Sequence, residues 1–340
     1  MQGSQGNPLT ITTQNRVIAI KTNGEANINA QYAQITANTS TGILVSPNQT
    51  NNNIDLDSTT ITAEVGIVNT GELQRLDIDS TSKVGATANG GINGQAIVNG
   101  QSVLNGQSYE TTGTANRIGV LNNEGTIEGD RYGVVNSGVD KKSRIDNLTN
   151  ANTGTIKVTG AGATAIYNGN DLNQNGSGLD YIVKITNKGR IEGIANGIAN
   201  LGQIDTIDND SGITGNKAIY MADTGAILGT LDNDGQIVGT TVAIENDGTI
   251  TTITNKGIIQ GATTAIDNDG SITTLSLHRN SQLTSNSTGS LIDNDGTITT
   301  LENNSNLNGA NIIIDNVYGL KETYLTGENL MSKVKYKIFK

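Results

Sequence analysis

The chain has 340 residues, 34% of them hydrophobic and only 3% aromatic, and a formal net charge of −11. So few aromatics exclude an ordinary globular core, and the lack of cysteine excludes a disulfide framework or a thiolate metal site. The acidic balance excludes nucleic acid and an anionic membrane surface as natural partners.

No stretch approaches the ~18 consecutive apolar residues of a membrane span, so no membrane insertion is expected. Residues 1–10 show no basic-then-apolar signal segment; the expectation is an exported chain whose signal has been removed. Residues 1–60 carry strand-like pieces without clean repeats: 9–13, 16–21 and 31–37, separated by Asn/Gly turns. A stack of coils would otherwise present an open apolar end, so this region is read as an N-terminal cap with the first irregular coils.

The repeating segment is 61–320. It opens with Ile67-Val68-Asn69-Thr70-Gly71-Glu72-Leu73 and becomes Gly/Asn/Gln-rich over 85–116, with looser copies such as Ile97-Val98-Asn99. It returns at Leu121-Asn122-Asn123-Glu124-Gly125-Thr126-Ile127. Lys141, Lys142 and Arg144 read as a solvated basic turn, and Asn170 to Asp180 as a polar insertion. Beyond Lys184 one phrase recurs: Ile244-Glu245-Asn246-Asp247-Gly248-Thr249-Ile250, Ile266-Asp267-Asn268-Asp269-Gly270-Ser271-Ile272 and Ile292-Asp293-Asn294-Asp295-Gly296-Thr297-Ile298.

With Asn as marker, one series is Asn187, Asn209, Asn233, Asn255, Arg279, Asn303, and a second is Asn200, Asp223, Asn246, Asn268, Asn294, Asn316. Their spacing gives coils of 22–26 residues that contain the motif twice. Two residues before the marker, and four after it, every residue is aliphatic or Met, including Leu277, Met221 and Ile227. The pattern predicts an all-β fold, a right-handed parallel β-helix (solenoid) whose apolar residues stack into columns inside a narrow tube. Asn-x-Gly is read as a bend, Gly tolerating positive φ. Marker and apolar sites share one parity, so the Asn amides are expected to face inward and bond from coil to coil. Tyr318 is the first large residue at the Gly site, so the repeat is expected to end near it. Residues 321–340, with five lysines against two glutamates, are read as a C-terminal cap whose alternation over 333–338 suits an edge strand.

Chemistry is sparse. The lone histidine, His278, has no nucleophile motif beside it and reads as an exposed turn residue. The pairs Asp208/Asp210, Asp232/Asp234, Glu245/Asp247, Asp267/Asp269 and Asp293/Asp295 flank the markers, and the last three pairs are expected to stack into two acidic columns. Calcium could relieve the repulsion within these columns, but the nonapeptide of calcium-binding β-rolls is absent, so a solvated acidic face is the favoured reading and calcium binding the alternative. No catalytic, cofactor-binding or metal-binding residue is assigned, and no cofactor.

The Ile-x-Asn-x-Gly-Thr-Ile copies, with their connectors Thr251-Thr252, Thr273-Thr274 and Thr299-Thr300, resemble passenger domains of bacterial autotransporters (type V secretion) over about residues 67–320. That resemblance implies display at the bacterial cell surface or release outside the outer membrane. It also implies a non-enzymatic adhesin or structural passenger. Its partners would be host-cell or bacterial surface molecules, protein or glycan, or a second copy of the chain. In autotransporters that self-associate, side-chain ladders on one wall make the contact, and here the polar Thr/Asn/Asp wall is the candidate. The sequence departs from the family in lacking a signal peptide and a C-terminal translocator barrel. The alternative is a glycan-acting β-helix, a polysaccharide lyase or hydrolase, whose acids would stand at one special coil.

Overall fold

A computed structural model describes residues 1–14, 17–22, 24–47, 50, 52–88, 94–100, 103–104, 107–108, 116–138, 143–169, 180–222, 224–286, 290–305, 307, 312–316, 320–325 and 334–336. They form a right-handed parallel β-helix of about 10 turns, without any helix. Each regular coil has three walls. In one coil, Thr249–Asn255 forms wall 1, Ile258–Gly261 wall 2 and Thr264–Asn268 wall 3. Wall 1 belongs to a twelve-stranded parallel sheet; walls 2 and 3 run together in a twenty-stranded one.

The expected alternation explains why these strands form. Strand Thr249–Asn255 buries Ile250, Ile253 and Asn255 and turns Thr249, Thr251, Thr252 and Thr254 outward. Each β-branched residue stands on its counterpart a coil away, as Ile244 on Ile266 on Ile292. The N-terminal region already takes part: Asn27–Gln31 and Ala33–Val45 pair in parallel with Asn52–Asp57 and Thr60–Asn69. Tyr32, at φ 48°, makes the corner between the first two of these strands. At the other end Leu320–Leu325 pairs on Thr297–Asn303, and Val334–Tyr336 on Ile312–Asn316. Tyr318, Asp223, Lys141, Lys142 and residues 170–179 lie outside the described residues.

The inward asparagines are present, in two ladders at two corners of the tube. At the corner from wall 3 to wall 1, Nδ2 of Asn69 donates to Oδ1 of Asn99 (2.8 Å), Asn99 to Asn136 (2.8 Å), Asn136 to Asn168 (2.7 Å) and Asn168 to Asn200 (2.7 Å). At the corner from wall 1 to wall 2 the chain runs Asn123, Asn150, Asn187, Asn209, Asn233, Asn255, with steps of 2.7 to 2.9 Å. All are wholly buried. Each second amide hydrogen also reaches a backbone carbonyl beyond the bend, as Asn233 Nδ2 reaches Ile258 O at 3.2 Å.

Two expected register positions are corrected. Asn255 pairs with Leu277, not Arg279, and Ile253 with Leu275. Asn200 pairs with Met221 rather than Asp223, and Ile204 with Leu228 rather than Ile227. A shift of two residues keeps the inward parity, so the aliphatic pattern alone could not reveal the first of these slips. At both rungs an apolar side chain replaces the amide: Asn200 Nδ2 meets Met221 Sδ at 3.7 Å, and Leu277 is wholly buried. The reason for glycine at the bends is also different. Positive φ is confined, among the described glycines, to Gly94, Gly100 and Gly162. At Gly257 and Gly270 a Cβ would lie 2.0 and 2.1 Å from the carbonyl oxygens of Gly235 and Gly248, so the close stacking of these two bends requires glycine.

Arg144, expected in a turn, sits in strand Ser143–Asn150. Asp180, expected in the insertion, is wholly buried and accepts from the backbone N–H of Gly138 (3.1 Å) and Ser143 (2.7 Å). Burial pushes its pKa up to about 7.

The ladder predicts its own mutational signature. Asn233→Ala should cost about 2–3 kcal/mol, because it strands the amides of Asn209 and Asn255 in an apolar tube. Asn233→Leu should cost less, since Leu277 shows that the column accepts that side chain. Urea unfolding of the three proteins would settle the order, and equal stabilities would remove the amide stack from the account.

Candidate functional surfaces

With the core committed to stacking, functional chemistry has to come from the outward columns. Wall 1 is divided along its length. Toward the N-terminus it is a charge network: Arg117 bridges Glu72 (2.8 Å) and Asp146, and Arg144 also pairs with Asp146. Arg144 lies 4.7 Å from the ring centre of Tyr181, whose hydroxyl donates to Asp205. Lys184 pairs with Asp208 at 3.1 Å. Lys256 holds Asp232 at 2.9 Å and Asp234 at 3.2 Å, so one cation is shared between two acids of this corner.

Toward the C-terminus the same wall becomes a lattice of hydroxyls. Thr206, Thr230, Thr252, Thr274 and Thr300 form one column. Thr249, Ser271 and Thr297 form another, and Thr254, Ser276 and Glu302 a third. Thr251, Thr273 and Thr299 fill the rung between. Over three coils, Glu302 is the one ionisable side chain among twelve outward positions. Strands ~4.8 Å apart, with alternate residues ~6.8 Å apart along each, set the two spacings of this lattice. The hydroxyls turn out because the isoleucines between them turn in.

Wall 3 is divided too. One outward column reads Leu44, Val68, Val98, Val135, Tyr167, Ala199, Tyr220, then Glu245, Asp267, Asp293. Its first six members are buried, forming a second apolar cluster outside the tube. The change comes at Tyr220, where Lys217 Nζ sits 3.9 Å from the ring centre and pairs with Glu245.

The predicted acidic columns therefore exist, although the inner one is less solvated than expected. Asp267 is half-buried. Its pKa is pushed up to about 6, by burial first and then by the charges of Asp293, Asp269, Glu245 and Asp247. Asp269 is raised by burial and by Asp247 and Asp295. Among the described residues, no group of three or more His, Cys, Asp or Glu side chains is placed to hold a metal ion. His278 is exposed, in a turn where Ser281 N donates to its carbonyl at 3.0 Å. The charge network and the apolar column were not anticipated. The first was legible in the alternating charges of Arg144 and Asp146, the second in the repeated Val and Tyr after the inward Ile.

No family model, curated protein or solved structure matches the chain.

Asp267 makes stability depend on pH. Its folded pKa, about 6, lies above the unfolded value near 3.8, so the folded state binds more protons between the two. Stability is therefore lost as pH rises from about 4 to 6, and the loss is complete above that window. Asp267→Asn should raise stability at pH 7 by about 1 kcal/mol, a figure reduced for partial exposure, and flatten the pH dependence. Thermal unfolding at pH 5 and 7 reads both. A variant that is destabilised at pH 7 would mean that the charge on Asp267 is compensated.

Proposed function

We propose that this chain is the surface-displayed passenger of an autotransporter-type protein, acting as an adhesin or a self-associating structural module. The observation that carries the reading is the hydroxyl lattice of wall 1. It is an extended, nearly uncharged face on a molecule of net charge −11, so it is where another surface can approach with least repulsion. Its columns offer donors and acceptors at every rung, which suits many weak hydrogen bonds in parallel rather than one deep pocket. Three rungs and seven residues span about 15 by 23 Å, which is small beside the area of a stable interface. Contacts through this wall are therefore weak singly and gain strength from numbers, as on a crowded cell surface. The partners are molecules of a host or neighbouring cell, or a second copy. Export beyond the outer membrane follows from the same reading.

A glycan-cleaving reading has one observation in its favour: Asp267 keeps a proton to about pH 6 beside other carboxyl groups, as a general acid does. Incubation with a panel of polysaccharides tests it, with Asp267→Asn as the control.

For the adhesive reading, Thr252→Asp with Thr274→Asp places two like charges on the lattice without touching the tube. Wild-type protein should sediment with weak concentration dependence or bind cells, and the double variant should lose the property. Wild-type monomers that bind no cell or matrix ligand, or a double variant that behaves as wild type, would remove the adhesive reading.

A further inference from the structure

A different corner, between walls 1 and 2, carries a notch. The outward column Arg190, Gly212, Gln236, Ile258 loses its side chain at one rung. No atom lies within 4 Å of the place a Cβ on Gly212 would occupy, whereas at Gly235, Gly257, Gly270 and Gly296 backbone atoms close off that place. The result is an open groove of about 470 Å3. Arg190 and Gln236 stand on either side of the missing rung, Ile258 lies beyond, and Asp210 and Asp234 project from successive bends. That size falls within the ~300–1,000 Å3 of small-molecule sites.

The charges select the kind of ligand. Arg190 pairs with Glu192, Lys188 lies 4.0 Å from Asp210, and Lys256 bridges Asp232 and Asp234 at 2.9 and 3.2 Å. Three cations thus face four carboxylates, and the cations are already engaged. An anionic ligand would meet the carboxylates and compete for occupied cations; a cationic one would meet the lysines. A neutral polyol meets neither difficulty. Its hydroxyls can donate to Asp210 and Asp234 and accept from the guanidinium of Arg190 and the amide of Gln236. Ile258 offers an apolar edge to the C–H face of a sugar ring.

We propose that the Gly212 notch is a binding subsite for one neutral pyranose unit of a surface glycan. The assignment rests on the chain being a binding protein rather than an enzyme, and it uses a corner distinct from the hydroxyl lattice.

The test is a titration of the isotope-labelled 340-residue chain with neutral methyl glycosides of glucose, mannose and galactose, and with methyl glucuronide as the anionic comparison, followed by amide chemical shifts. At least one neutral glycoside should shift the amides of Gly212, Gly235 and Gly257 and saturate at about millimolar concentration. Gly212→Gln, which fills the notch from an outward position, should weaken that binding by about tenfold or more while leaving the melting temperature unchanged. Asp234→Asn should weaken it as well. The proposal is overturned if no neutral glycoside moves these amides, if the glucuronide binds more tightly, or if Gly212→Gln titrates like the wild type. Thr252→Asp with Thr274→Asp should leave the titration untouched, so a failure of the adhesive wall and a failure of the notch are read separately.

Discussion

The structure depends on one interaction, the hydrogen bond from the amide of a buried asparagine to the amide of the asparagine one coil away. A tube lined by isoleucine alone would have no reason to bend where it does, and its stacking register would be weakly specified. At each bend backbone carbonyls turn away from the ladder of sheet hydrogen bonds, and a buried carbonyl left alone is costly. The asparagine satisfies one such carbonyl and still bonds to its neighbours above and below. Asn233 does this with Asn209, Asn255 and the carbonyl of Ile258. The side chain thus fixes the place of the corner and the register in one step.

Fixing the corners divides labour between inside and outside. The inward positions hardly vary from coil to coil, while the outward ones change character near Tyr220. N-terminal to that point, wall 1 carries a charge network and wall 3 a buried apolar column. C-terminal to it, beyond the contacts of Lys256 with Asp232 and Asp234, wall 1 is a field of hydroxyls, and wall 3 is a line of carboxylates. One solenoid therefore presents two chemically different halves with an unchanged core. The acidic line is tolerated for the same reason. Repulsion between carboxylates ~5 Å apart is modest near water, and the coils that carry it are held by a separate interior ladder.

The architecture was legible because parallel stacking repeats the same inward chemistry at every rung. Period, inward asparagines and acidic columns all follow from parity and spacing. The exact rung was not legible wherever an apolar residue took the place of asparagine. Leu277 and Met221 looked like ordinary core positions, and the polar residues two places on, Arg279 and Asp223, were read as the markers. The outward residues held the cue. Superposing Thr251-Thr252 on Thr273-Thr274 puts Leu275 over Ile253 and Leu277 over Asn255, which is the register found. The glycines do lie at bends, but close stacking rather than positive φ calls for them at Gly257 and Gly270, and one coil's sequence does not show the carbonyl of the next pressing on it. For the surfaces, the sequence carried their composition, while the notch at Gly212 exists only once Arg190 and Gln236 are stacked on either side of it.

The interior also constrains what the exterior can recognise. Outward positions recur at the spacing imposed by strand pairing, and a change of side chain at one of them alters the group presented but not that spacing. A partner that engages several rungs of wall 1 must therefore offer groups at a matching repeat, or be flexible enough to adjust, whereas a partner at the notch meets a single rung. Specificity in this molecule then has two sources. One is the periodicity of a wall, which discriminates by length and spacing. The other is the interruption of a column, which discriminates by the shape and charge of one unit. Gly212 belongs to the second kind: it brings no side chain to its rung, and no atom lies within 4 Å of where a Cβ would stand.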